Sequence, residues 1–485
     1  MEHTVYENPR SPYLPLLRDA GITYENATKT VQQKGLEGTL KDFRDVGVYL
    51  TFEEYKGRQP LIRHGKIYPF NSEGLKNTLL LESIFHTRTG GSTGPSVDVP
   101  FNPRFHREQA ANIGTLFAMW MPAVGAKGAL WYPLQPGLSS LIFRIVIGQP
   151  PAAWFTPSVE SLGQSWRLRL LVQTIKHLAH QCAISVPSPQ HVPLNEAHRI
   201  AQWIVEQKQT SPACMIITTV SNAVHICEAA QRHKLDIRGT RFFIDSEPLT
   251  EAKRDEITAT GCTPLPDYYA DDAGSLALPC GNPASADDMH VCTHMAAIIT
   301  RCRFRPGSED SVESFLITTL LPTSPQFLLN VEFDDFGVLG ERDCGCRLGE
   351  LGLKLHVSQV RSFSKLTTQG TTVPLGDVAW VIEQVLPRRF GGASIHYQLL
   401  EEDLGSQTRL TLVVSPQVGP FDEREVLRVF LTELRTADIR LVQPTQLWEE
   451  SGALRVVRAE PLVTPRGKLL PVRILRDYER SRLPP

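Results

Sequence analysis

The chain has 485 residues, of which 41% are hydrophobic and 21% charged; that is enough for two or three domains with sizeable cores, and it is not the composition of a disordered chain. A formal net charge of −2 provides no whole-chain basic field for nucleic acid, and the clusters Arg167–Arg169 and Arg473–Arg482 read as solvated faces. The most apolar run, Ile113–Val124, is broken by Pro122 and falls short of the roughly 18 apolar residues a membrane helix needs.

The first hundred residues mix helical stretches with short loops, and a glycine-rich loop interrupts at Thr87–Ser96. Residues 105–300 then alternate strand-like runs with amphipathic ones. Strands are expected at Leu141–Ile147, Ala213–Thr219 and Arg241–Ile244, and helices at Glu160–His177, Glu196–Gln207 and Asn222–His233. Such alternation predicts an α/β sheet with crossover helices. From Val373 the pattern changes. Asp377–Leu386 and Asp422–Leu434 read as helices, the second opening on acidic residues that suit a helix start. Ala393–Glu401 and Thr408–Val414 alternate like paired strands, with a further strand near Leu454–Arg458. The expected organisation is a large α/β N-terminal domain, residues 1–360, and a small mobile α+β C-terminal domain, residues 361–485, with the boundary near Val360–Thr372.

Residues 87–96 read Thr-Arg-Thr-Gly-Gly-Ser-Thr-Gly-Pro-Ser. Glycines let backbone N–H groups turn toward an anion and the hydroxyls add donors, which suits a triphosphate; the pattern is not a Walker loop. Here the chain resembles the adenylate-forming (acyl-CoA synthetase-like) superfamily, whose phosphate loop has the form [ST]-[ST]-G-[ST]-T-G-K-P. The branch it is most similar to is that of the phenylacetate–CoA ligase-like proteins. The matching residues are Thr89, Gly90, Gly91, Ser92, Thr93 and Gly94, with Pro95 where the family has lysine.

Further matches come in the family's order. Phe243–Lys253 resembles the strand and Gly-Ala-Glu-Pro turn beside the adenine: Glu247 and Pro248 match, while Asp245 and Ser246 differ. Asp267–Gly274 is similar to the Tyr-Gly-x-[ST]-Glu motif, with Asp272 at the magnesium-ligating carboxylate and Asp271 at the hydroxyl position. In Phe327–Gly337, Asp335 falls on the aspartate that holds the ribose hydroxyls; Asp334 is the competitor, and Asn330 replaces the usual arginine. Arg361 matches the nucleotide-contacting arginine of the hinge motif Gly-Arg-x-Asp-Asp. Thr464–Leu470 looks like Thr-x-x-Gly-Lys-[IL]-x, with Lys468 on the catalytic lysine.

Nine cysteines are an odd number and too few for a disulfide framework, and Met1–Arg10 carries no apolar signal-peptide core; the expected compartment is the cytoplasm. Cys280, His290, Cys344 and Cys346 offer three thiolates and an imidazole, the donors of a closed structural zinc site, and some members of the resembled branch are similar in carrying one. Cys292 and His294 are the alternative ligands; Cys182, Cys214 and Cys227 read as free buried cysteines, and the i, i+3 pair His177 and His180 as ordinary histidines. The resemblance also puts the acid pocket around Ser221–Ala223, with Trp131, Tyr132 and His86 as candidate walls.

What the resemblance implies is an ATP- and Mg²⁺-dependent enzyme with a structural Zn²⁺. It would adenylate a small carboxylic acid and pass the acyl group to a thiol, either coenzyme A or the phosphopantetheine of a carrier protein. An amine acceptor, an unusual acid, or a homologue that binds nucleotide without turnover are the rival expectations. No nucleic-acid or membrane partner is expected, and a homodimer suits the branch.

Overall fold

Threonine punctuates this chain. Thr23, Thr51, Thr219 and Thr250 each lie in extended backbone and accept a backbone N–H three residues on. They thereby cap the helices Tyr24–Asp45, Phe52–Tyr55, Val220–Arg232 and Glu251–Ala259. At Thr219 the cap is also the last residue of the strand Cys214–Thr219, so that strand passes into its helix with no loop between. The computed structural model describes residues 1–78, 80, 86–88, 98–100, 102–120, 126–146, 148–157, 166–246, 248–270, 272–304, 311–362, 365–368, 371–393, 396–404, 407–437, 441–462 and 471–475. It has two units, one of residues 1–119 and 266–363, the other of residues 120–265 and 364–485.

The second unit holds a six-stranded sheet in the order Thr263–Pro266, Arg241–Asp245, Cys214–Thr219, Lys127–Trp131, Ala153–Thr156, Pro189–His191. The four pairings from Arg241–Asp245 to Pro189–His191 are parallel. Strands buried on both faces need continuous apolar runs, and Cys214–Thr219 is buried at every position. Numbered along the chain, the strands stand 6-5-4-1-2-3, the doubly wound order; it reverses between Lys127–Trp131 and Cys214–Thr219. The mixed α/β class expected from the sequence is the class observed.

Local differences have physical reasons. Leu141–Ile147, expected as a strand, lies within the helix Leu134–Val146 apart from Ile147, which is outside the described residues. Leu138, Leu141 and Arg144 recur at helical spacing and share the buried face; a short apolar run does not by itself distinguish the two periods. The helix expected from Glu160 is seen as Trp166–Gln181. Further on, helical turns run from Leu375 to Phe390, with a π turn at Val381–Val385. Tyr397–Leu404 and Gln407–Val414 pair antiparallel in the register Tyr397↔Val414, and Leu454–Arg458 and Val472–Ile474 flank them in parallel. Val378, Tyr397, Leu412, Phe430 and Trp448 give this part its own core. The helix Val442–Ser451 was not expected, because Pro444 reads as a breaker; it falls in the first turn, where a missing N–H costs little.

The first unit is built on a seven-stranded antiparallel sheet, ordered Tyr268–Ala270, Gly274–Pro279, Met289–Val291, Leu355–Ser362, Val331–Glu341, Ser311–Thr319, Ala296–Phe304. Residues from the first fifty pack on it: Tyr13, Leu40, Phe43 and Leu50 share a core with Ile298, Leu316 and Val331. A buried ion pair stands beside that core. Arg63 donates to both oxygens of Glu54 at 2.6 and 2.9 Å and to the Gly47 carbonyl, and its guanidinium lies 4.1 Å from the Tyr49 ring centre. With side-chain exposures of 9% and 7%, removing one partner strands the other in a low-dielectric site. Arg63→Ala is therefore expected to lower unfolding free energy by about 3–5 kcal/mol in denaturant titration. A loss below about 1 kcal/mol, the range of a surface pair, would contradict this. Among the described residues no helix is long and apolar enough to cross a membrane.

Candidate functional site

The four cysteine and histidine residues singled out in the sequence converge. One ligand atom from each of Cys280, His290, Cys344 and Cys346 lies within 4.8 Å of every other, and all four residues are buried. Cys280 follows the strand Gly274–Pro279, and His290 is central in the neighbouring strand Met289–Val291, paired with Leu278. Gly345, at φ 66°, gives the left-handed turn that aims Cys344 and Cys346 at one point. Gly349 closes the cage, since a Cβ there would stand 3.1 Å from the Cys344 sulfur.

The donor chemistry fits a tetrahedral zinc ion. His290 Nδ1 lies 2.6 Å from the Leu353 carbonyl; donating there, it leaves Nε2 a bare lone pair, 3.1 Å from the Cys346 sulfur and 3.5 Å from that of Cys344. A zinc ion holding one nitrogen and one sulfur at the tetrahedral angle sets them roughly 3.6 Å apart, which the Cys344 distance matches and the Cys346 distance undershoots. Burial pushes the Cys346 thiol up, but backbone N–H groups of Gly349, Gly281 and Leu348 and the Cys344 thiol outweigh it and bring it down to about 6. Burial pushes the Cys280 thiol up. Arg342 donates to the Cys280 sulfur at 3.4 Å, a positive charge against the net −1 that three thiolates leave on a divalent ion. Cys280, Asp288 and His356 also lie within 4.8 Å of one another. That trio shares Cys280 with the four-residue group, and Arg342 brings a positive charge to both Cys280 and Asp288.

The alternative ligands are not in these groups: burial pushes the Cys292 thiol up in an apolar cluster, and burial lowers His294. Cys214 and Cys227 are buried as expected. Cys182 is exposed, a correction, because it follows the last turn of Trp166–Gln181 on an open surface.

Two of the residues matched to the nucleotide motifs lie on neighbouring strands, one register position apart. Asp335 faces Ser362 and Phe336 faces Arg361 in the antiparallel register of Val331–Glu341 and Leu355–Ser362. The Tyr268 hydroxyl donates to Asp335 Oδ2 at 2.8 Å; burial and that carboxylate push the phenol well up, so it stays a donor. Asp334, the competitor, is buried at φ 71° and accepts from Ser362. Asp335 is the more accessible of the two. Asp272 is buried at the turn into Gly274–Pro279 and accepts from the Tyr55 hydroxyl at 2.6 Å, which fixes one carboxylate oxygen. Asn330, where the family has arginine, serves the fold: it adopts φ 53° and its amide donates to the Leu40 and Val48 carbonyls.

In the other unit, the reversal of strand order sets Trp131 and Tyr132 beside Thr218–Asn222. Tyr132 donates to the Thr218 carbonyl and to Asp245 Oδ1 at 2.8 Å, and Asn222 donates to the Trp131 carbonyl. In a doubly wound sheet the crevice at this reversal is where ligands bind. The matched Pro248 lies just past Asp245. His86–Arg88 pairs antiparallel with Asp98–Pro100; Thr89, Gly90, Gly91, Ser92, Thr93, Gly94 and Pro95 are outside the described residues, as are Glu247, Asp271 and Lys468. Tyr55 and Tyr268 were missed in the sequence: nothing in the spacing of a lone tyrosine marks it as the partner of a carboxylate.

No family model matches the chain, and no curated protein does. Among solved structures it is similar to an acyl-CoA synthetase (AMP-forming)/AMP-acid ligase II-like protein from Dyadobacter fermentans, at 12% identity over 79% of this chain and 87% of that one, with a TM-score of 0.31. An NRPS protein containing adenylation and PCP domains matches at 10% identity over 78% and 66% of the two chains, TM-score 0.37. An acyl acid amido synthetase matches at 9% identity over 100% and 92%, TM-score 0.34. At these scores the likeness carries no weight for fold or chemistry.

Proposed function

We propose that the protein is an ATP-dependent, adenylate-forming acid–thiol ligase of the phenylacetate–CoA ligase-like branch, with one structural zinc ion. What carries the proposal is the run of motif matches from Thr89 to Lys468; the register adds only that Asp335 and Arg361, matched separately to ribose and nucleotide contacts, lie on neighbouring strands. Resemblance in several motifs, arriving in the family's order, supports it.

In this reading the glycine loop Thr89–Gly94 cradles the phosphates, Glu247 and Pro248 border the adenine, Asp335 accepts from the ribose hydroxyls and Arg361 contacts the nucleotide. Asp272 is the carboxylate ligand for Mg²⁺, which supplies Lewis-acid charge when bound. The acid lies at the strand-order reversal by Trp131, Tyr132 and Asn222. Its carboxylate oxygen forms a bond to the α-phosphorus while the bond to the pyrophosphate oxygen breaks, and Lys468 offsets the charge that develops. A thiol sulfur then attacks the acyl carbon; the carbon–oxygen bond breaks and AMP leaves. Residues 361–485 act as the small domain that brings Lys468 in and withdraws it between the half-reactions. In the conformation described, Lys253 donates to Thr408 at 3.3 Å, a contact such a rotation has to break.

The test is a pyrophosphate-release screen with ATP, Mg²⁺ and a panel of aryl, fatty and amino acids, with and without coenzyme A or a carrier protein. Release with one acid class, accelerated by a thiol acceptor, is the expected result. Release accelerated by amines instead would replace the thiol. Silence from folded, zinc-loaded protein that still binds nucleotide would overturn turnover in favour of a nucleotide-binding homologue.

A further inference from the structure

Nine residues separate Cys280 from His290, and this loop carries two buried carboxylates, Asp287 and Asp288, that are outside the four-ligand set. All but one of their partners lie outside the loop. Asp288 accepts from Arg342, from the Ala284 N–H and from His356 Nδ1 at 2.7 Å, which ties the loop back to the metal centre. Asp287 reaches the other way. It accepts from the backbone N–H groups of Gln359 at 2.9 Å and Val360 at 3.1 Å, and from the Arg361 guanidinium at 3.4 Å.

Those two amides belong to an irregularity in the strand pair. Val338 faces Ser358 and Phe336 faces Arg361, so Gln359 and Val360 together oppose the single residue Gly337. This is a β-bulge, in which one residue too many leaves amides without ladder partners and re-aims the side chains beyond it. Gln359 takes a φ of 53°, and Gly337 has no room for a side chain: a Cβ there would stand 2.6 Å from the Ser358 carbonyl. The Asp287 carboxylate takes the place of the missing ladder acceptors. Past the bulge the register resumes with Arg361 and Ser362 opposite Phe336 and Asp335.

We propose that the loop between Cys280 and His290 is a metal-dependent brace, in which zinc fixes both ends and Asp287 holds the bulge that aims Arg361. Asp287 is thus a positioning residue, acting through Arg361 and the Gln359–Val360 backbone. The inference rests on the zinc reading of the four ligands and, for its consequence, on the nucleotide role of Arg361.

The experiment is amide hydrogen exchange on the full chain, zinc-loaded and after chelation, for wild type, Asp287→Ala and Asp287→Asn, with AMP affinity measured in parallel. Chelation is expected to speed exchange at Gln359 and Val360 by about tenfold or more while Ser311–Thr319 keeps its protection. Asp287→Ala is expected to show the fast exchange even with zinc bound, and Asp287→Asn, which keeps one acceptor oxygen, an intermediate rate. AMP affinity is expected to fall about tenfold in Asp287→Ala and in Arg361→Ala, and no further in the double variant, as for two residues of one unit. Exchange at 359–360 that ignores both chelation and Asp287→Ala, in protein whose sheet remains protected, overturns the brace. If exchange responds as expected but Arg361→Ala leaves AMP affinity unchanged, the brace stands and the nucleotide role of Arg361 falls. Metal content that stays at zero in folded wild type overturns the metal dependence outright.

Discussion

Lys468→Ala is expected to lower carboxylate-dependent pyrophosphate–ATP exchange by about two to three orders of magnitude, the scale on which single preorganised transition-state donors act. The reason lies in where charge changes. As the carboxylate oxygen closes on the α-phosphorus, negative charge accumulates on non-bridging oxygens and on the departing pyrophosphate. A single ammonium brought to that point in a water-poor site is worth far more than it is in solution. The same variant is expected to accept synthetic acyl-adenylate and form the thioester at a rate near wild type, because the proposed mechanism uses Lys468 only in the first half-reaction. This split distinguishes a catalytic lysine from a structural one: loss of fold lowers both half-reactions together. Exchange that survives the substitution removes Lys468 from the mechanism.

Cys344→Ala is expected to reduce bound zinc from about one per chain to well below that, with affinity lower by more than the roughly tenfold to hundredfold effect of losing a residue that merely orients a ligand. Cys344 is one of four mutually close donors, 3.5 Å from His290 Nε2, and a three-donor site opens to water and to competing chelators. Binding free energy at a structural site is also folding free energy. The variant is therefore expected to melt below wild type and to lose the destabilisation that a chelator causes in the wild-type chain. Cys302→Ser, at an exposed cysteine on the edge strand Ala296–Phe304, is the control expected to change neither. Full zinc occupancy in Cys344→Ala, measured by elemental analysis, would contradict the assignment.

The features legible in the sequence are those that leave a local signal. The parallel strands Cys214–Thr219 and Arg241–Asp245 were readable because strands buried on both faces are continuous apolar runs between amphipathic helices. The convergence of Cys280, His290, Cys344 and Cys346 was readable because such donors are few in kind and Cys-Gly-Cys sets two thiols across one tight turn. The seven-stranded antiparallel sheet was not. In Val331–Glu341, four buried residues give way to increasingly exposed ones, so no single period runs its length. Nor does any local pattern tell that residues 1–119 share a unit with 266–363; the backbone bond from Leu50 N–H to the Asn330 carbonyl is a tertiary fact. Asp287 was invisible for the same reason. An Asp-Asp pair reads as a solvated turn until the bulge it satisfies, some seventy residues on, is brought beside it.

The measurement that tests the central proposal most directly is the fate of carboxylate oxygen. The acid found active in the screen is prepared with ¹⁸O in its carboxylate and turned over with ATP, Mg²⁺ and the thiol acceptor. Attack on the α-phosphorus followed by acyl transfer leaves one labelled oxygen in AMP and none in pyrophosphate, which is the predicted result. Label in inorganic phosphate, with ADP as the nucleotide product, would place the attack on the γ-phosphorus and contradict adenylate formation.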